Sequence, residues 1–210
     1  MTSSLSDTVK ALIAKARIVS FESWQAQYPP DCIACFQAAD DAGRFLTDDD
    51  LAQVRQADPG NTGAMIAQTL RDLTPEIVDE ARAQVLSNFP QILEPGGGLY
   101  PPHRAEACWR DFWHFLRCIA YGIAGQRTDY TSATGLHYMR LLYEELQVPL
   151  DAMIAGLEGL KIASLRRIAA DDSNAIAACF DALITELARF KEPHSSMASA
   201  PLSATASEDS

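Results

Sequence analysis

The chain has 210 residues, which suits one globular domain with tails. Hydrophobic residues make up 48% and charged residues 21%, an ordinary soluble composition with enough apolar material for a core. Lys and Arg total 17 against 28 Asp and Glu, and the resulting charge of −11 argues against nucleic acid and anionic membrane surfaces, which both select clustered cations.

No apolar run approaches the roughly 20 residues that a membrane helix needs. The N-terminus has no secretory apolar core, because Lys15 and Arg17 interrupt residues 11–19. The expectation is a cytoplasmic protein without membrane insertion. Five scattered cysteines, an odd number, point to reduced thiols.

In chain order the sequence reads as helix after helix, with no alternating Val, Ile and Thr run to suggest a strand. Residues 5–19 place Leu5, Val9, Leu12, Ile13 and Ala16 on one face. Tyr28-Pro29-Pro30 breaks the chain before a short helix over residues 31–43. Thr47 is a good N-cap with Asp50 three residues on, and that helix runs to Ala57, where Asp58-Pro59-Gly60-Asn61 ends it. Residues 62–72 form one helix. Thr74-Pro75-Glu76 opens another, with Ile77, Ala81, Val85 and Phe89 near one stripe.

Glu94-Pro95-Gly96-Gly97-Gly98 is irregular, and its glycines suit a close approach to a ligand. Residues 103–124 form the longest and most aromatic helix, and 131–146 the next. Pro149 starts a helix that carries to Ala169. Asp171-Asp172-Ser173 caps a last one ending near Phe190. The expected organisation is an N-terminal helical extension over 1–30, one all-α domain over 31–190, and a polar, disordered tail over 191–210.

The chemistry concentrates in residues 105–121, which hold two thiols, two acids, two arginines, an imidazole and five aromatic rings. On a helix Cys108, Asp111 and Phe115 share a face, bordered by Phe112 and Leu116. A carboxylate on an apolar face is costly unless something donates hydrogen bonds to it. A linear tetrapyrrole would do so: Asp111 accepts from its pyrrole N–H groups, Cys108 adds to a vinyl-type side chain, and Arg110 and Arg104 pair with its propionates. A plainer reading uses the same residues, with Cys108 as a small buried hydrophobe and Asp111 in a surface ion pair.

Pro95-Gly-Gly-Gly-Leu-Tyr100, Ala107-Cys-Trp-Arg-Asp111, Leu116-Arg117 and Tyr121 together resemble the chromophore region of the phycobiliprotein family, its allophycocyanin alpha type especially. Asp40-x-x-x-Arg44-Phe45-Leu46, Tyr143-x-x-Leu146-x-Val148-Pro149 and residues 171–183 extend the resemblance over residues 36–190. It implies a globin-like helical fold with added N-terminal helices, and a non-enzymatic phycobilisome or bilin-supply role in photosynthesis. The implied cofactor is a phycocyanobilin-type bilin, with Cys108 as the thioether site, Asp111 as the pyrrole-nitrogen partner and Arg110 on a propionate. Tyr100, His114, Phe115 and Tyr121 would stand around the pigment. The implied partners are a second copy or a related chain, docked through the N-terminal helices with Asp40 and Arg117 at the contact. A bilin lyase or biosynthesis enzymes would be further partners.

Several positions depart from the family pattern: His114, Phe115, Gln126, Tyr138, and the residues before 31. They favour a carrier or accessory protein over a standard antenna subunit. A divergent branch linking globins to this family, associated with bilin synthesis, resembles the chain as well. Two other readings stay open. A haem-binding globin sensor would use His114 or His137 as axial ligand. A pigment-free interaction module would use neither. Cys32-Ile-Ala-Cys35 has metal or redox spacing but no second pair, so two core-facing or free thiols are expected.

Overall fold

The structure is a computed structural model and describes residues 5–192. The expected disorder of the C-terminal tail falls on residues 193–210, outside the described part. The described chain is all-α, with nine α-helices and two short 3-10 turns. Its only β-type pairing among the described residues is one isolated bridge between Val19 and Thr131.

Helix α1 spans Asp7–Lys15, α2 Pro30–Asp41 and α3 Asp48–Ala57. Then come α4 over Gly63–Asp72, α5 over Thr74–Asn88 and α6 over Pro102–Ala124. Helices α7, α8 and α9 span Ala133–Glu145, Leu150–Leu165 and Ser173–Arg189. None of the described helices is long and apolar enough to cross a membrane.

Helix α6 is the axis of the fold. It lies along α4 and is braced by α5, α8 and α9, while α5 packs along α8 and α8 along α9. From Phe115 to Ala124 every α6 residue is buried, and Phe112 and Phe115 are among the largest fully enclosed side chains. Removing a ring of that kind costs about 3–5 kcal/mol, so the chemistry sits on the most firmly held element.

Thr47 caps α3 as the pattern requires. Its hydroxyl accepts from Asp50 N at 3.2 Å, and Asp50 Oδ2 accepts from Thr47 N at 2.8 Å. Three other expectations need correction. Helix α1 stops at Lys15 because residues 17–20 turn extended and pair with the loop after α6: Ser20 N donates to Tyr130 O, and Ser132 N to Ile18 O. Of its expected apolar face only Val9 is buried, and Leu5 and Ile13 are 49% and 48% exposed. Helix α8 ends at Leu165 rather than near Ala169, its last turn tightening as Arg167 N donates to Ser164 O. Asp172 does not cap α9. Its backbone is already helical, and its carboxylate accepts from Thr62 Oγ1 instead.

The segment before α2 is not a loose extension. Its short 3-10 turn over Glu22–Ala26 carries Trp24, which has no exposed surface, between buried Phe21 and Tyr28. These rings pack edge to face or tilted with Phe36 of α2 and Tyr121 of α6, at centroid separations of 4.9–6.4 Å. Helix α1 lies along α7, with Lys15 over the Tyr138 ring.

Candidate functional site

Helix α6 presents Cys108 and Asp111 one turn apart on the flank facing α7 and α8. Cys108 is buried, and its Sγ lies 3.2 Å from Met153 Sδ of α8. Burial, with the Asp111 charge second, pushes its thiol up to about 12. At neutral pH it is a thiol, not a thiolate.

Asp111 is partly buried and accepts no hydrogen bond from any described side chain or amide. Burial pushes its carboxyl up to about 6, opposed by the positive charge of Arg110. Arg110 itself is exposed and forms no ion pair with the described residues. Sequence reasoning missed the third member of the cluster, Tyr143 of α7. Its side chain is buried, its hydroxyl has no hydrogen-bond partner, and its ionisation is raised by burial and by the nearby Asp111 and Cys108. A carboxylate lacking a donor and a hydroxyl lacking a partner therefore flank one thiol. A buried hydroxyl such as that of Tyr143 is rarely left without a partner unless a ligand or water completes it, and the partly exposed Asp111 carboxylate stands open beside it.

The other expected site residues do not all gather here. Arg104 is committed elsewhere: Nε donates to Gly98 O at 3.1 Å, Nη1 to Leu146 O at 3.0 Å and Nη2 to Gln147 O at 2.8 Å. It clamps the glycine loop to the α7–α8 turn. The glycines of that loop make their close approaches within the protein. A Cβ on Gly97 would lie 2.4 Å from the carbonyls of Gln91 and Ile92, and one on Gly98 2.9 Å from Pro149. Gly96 takes a left-handed φ of 93°. Tyr100 is 45% exposed at the end of the same loop.

Phe115 faces the core. His114 is half-buried, edge-on to Trp113, and burial with Arg117 and Arg110 disfavours its charged form. Tyr121 lies 13 residues beyond Cys108, about 20 Å along the helix axis, and is fully buried. Its hydroxyl accepts from Arg117 Nη1 at 2.7 Å and donates to the Arg44 carbonyl. Asp40 and Arg117 pair with one another inside this chain at 2.9 Å. Trp109, next to Cys108, stands under the Arg82 guanidinium at 5.4 Å.

Two hollows stand out, of about 910 and 450 Å³. The first lies between residues 17–28 and α2, the second beside the turn 89–92, and neither is lined by Cys108 or Asp111. Neither His114 nor His137 lines a hollow, and His137 is exposed, so nothing favours a haem site. Cys32 and Cys35 are buried and unbridged, and no described residues form a metal-binding group.

A sequence profile of the phycobilisome protein family matches residues 34–187. The chain belongs to that family. Among similar proteins, the allophycocyanin subunit alpha-B of Synechocystis sp. is 32% identical over 147 residues, 70% of this chain and 91% of that one. The allophycocyanin alpha-B chain of Porphyra purpurea is 31% identical over the same shares, and the alpha chain of Mastigocladus laminosus 30% over 71% and 94%. The matched region of this phycobilisome protein takes in α6 and Tyr143 and leaves residues 5–33 outside.

Proposed function

We propose that this phycobilisome-family protein holds a phycocyanobilin-type linear tetrapyrrole beside Cys108 and serves light harvesting as a pigment carrier or accessory protein, not as a catalyst. The observation that carries the reading is the buried, unpartnered Tyr143 hydroxyl near the thiol, with the partly exposed Asp111 carboxylate open beside both. A bilin offers pyrrole N–H donors, terminal carbonyl acceptors and two propionates. Asp111 takes the N–H groups, the Tyr143 hydroxyl donates to a carbonyl, and exposed Arg110 pairs with a propionate. The pigment, when bound, supplies the conjugated system that absorbs visible light.

Covalent attachment at Cys108 is redox-neutral. Sγ bonds to one carbon of an exocyclic double bond, and the thiol proton ends on the other. Burial pushes the thiol up to about 12, so the thiolate is scarce at neutral pH and unaided addition is slow. Either a lyase supplies the base, or the pigment is held reversibly.

Co-expression with a phycocyanobilin pathway tests the reading. A zinc-stained fluorescent band on a denaturing gel, lost in Cys108→Ala, is expected if attachment is covalent. Colour in the native protein alone marks a reversible carrier. A colourless protein, with lyases supplied, overturns the proposal.

A further inference from the structure

The structure assigns residues 17–28 the place of a second chain: they cover, within one molecule, an aromatic face that relatives without this segment must cover by other means, and so close that face to assembly. The inference rests on the family membership and on packing, not on the pigment reading.

Three observations carry it. The first is what the segment hides. Phe36 of α2, Tyr121 of α6 and the Asp40–Arg117 pair all lie inside the matched family region, yet their cover is Arg17, Phe21, Trp24 and Tyr28, which lie outside it. Arg17 Nε donates to Asp40 Oδ2 at 3.1 Å and its Nη2 reaches Asp41, so the segment also neutralises the acidic end of α2.

The second is that the body is cut to receive the segment. A Cβ on Gly125, after α6, would fall 2.4 Å from the Trp24 ring, and one on Gly135, in the first turn of α7, 1.6 Å from the Arg17 carbonyl. These contacts, with the Val19–Thr131 bridge and the bond from Tyr28 Oη to Gly125 O at 3.1 Å, fix the segment at backbone level.

The third is length. The 147 matched residues are 91% of the Synechocystis relative but 70% of this chain, so about 15 residues of that relative lie outside the match, against 63 of this chain. Its name calls it a subunit. An exposed patch made of Phe36 and Tyr121 beside a buried-type ion pair is of the kind that recruits another chain. Here the recruit is already attached, and its effective concentration exceeds that of any free partner.

The test uses the full chain, alone and mixed with an allophycocyanin alpha-B subunit, by sedimentation velocity and hydrogen exchange. The expected result is a 22.9 kDa species in both cases, with amides 17–28 protected. A complex formed while those amides stay protected also supports closure and puts the contact on another face. A complex in which they lose protection, or whose cross-links reach Phe36 or Tyr121, overturns it. In Gly125→Val/Gly135→Val the amides of 17–28 should exchange about tenfold faster or more, while those of α8 hold, and the protein should then self-associate or take up the relative. Trp24→Ala is the milder variant should the double substitution fail to fold. Unchanged exchange and mass in both variants would also overturn the proposal. Pigment absorbance is read separately, so failure of the bilin reading shows as lost colour with closure intact.

Discussion

Arg117 Nη1 donates to Asp40 Oδ1 at 2.9 Å inside a single chain, with both side chains buried, and Arg17 reaches the other carboxylate oxygen. The pair ties α2, at the edge of the fold, to its central helix. Removing one partner of such a pair leaves an uncompensated charge and costs about 3–5 kcal/mol. Asp40→Ala should fall in that range, because it strands Arg117, whose Nε already lacks a partner. Arg117→Ala should cost less by about 1 kcal/mol or more, since Arg17 stays on Asp40. Urea unfolding of both variants gives the order, and equal losses would count against it.

Asp111 makes stability depend on pH in an unusual direction. Its carboxyl titrates near 6 when folded, against an ordinary value of 3.8. The folded state therefore binds the proton more tightly, and stability falls as pH rises between about 4 and 6. Above that window the ionised group destabilises the protein without pigment by at most about 3 kcal/mol. Asp111→Asn should raise the melting temperature at pH 8 and lose its advantage below pH 4. A gain that is the same at both pH values would mean that burial of the charge is not the cause. With bilin bound the same variant should blunt the red absorption band, because the pyrrole N–H groups lose their anionic acceptor.

Tyr143 predicts a similar opposition between stability and binding. A buried hydroxyl without a partner costs about 1–3 kcal/mol relative to a carbon of the same shape. Tyr143→Phe should stabilise the pigment-free protein by about 1 kcal/mol and weaken bilin retention. Thermal melts and pigment release on gel filtration read the two effects separately. A variant that is less stable and binds as well as the original would remove Tyr143 from the site.

What the sequence could convey depended on how local the signal was. Thr47 and Asp50 are three residues apart, and their capping box forms as the pattern says. Helix α6 is legible because its apolar stripe is long, and with it the shared face of Cys108 and Asp111. Tyr143 is 35 residues from Cys108, and only the tertiary fold brings them together. The early end of α1 is set by hydrogen bonds to residues 130–132, which no local periodicity records. For Tyr121 no local signal says that its hydroxyl is spent on Arg117 and on the Arg44 carbonyl, 77 residues away. Asp40 and Arg117 show a different limit: complementary charges announce a pair, not whether it closes within a chain or between two.

Arg104 separates a structural role from a ligand role. Its three nitrogens donate to the carbonyls of Gly98, Leu146 and Gln147, joining the glycine loop to the α7–α8 turn that follows Tyr143. Arg104→Met should loosen both segments together, seen as faster amide exchange around 97–100 and 146–149, at a cost of about 1–3 kcal/mol. Lysine should not restore them, because a single ammonium cannot span three carbonyls set in a fork. A propionate partner behaves otherwise: there Lys substitutes as a point charge, and the defect appears only when pigment is present. Rescue by Arg104→Lys together with normal exchange in the pigment-free Arg104→Met protein would return Arg104 to the pigment and take it away from the loop.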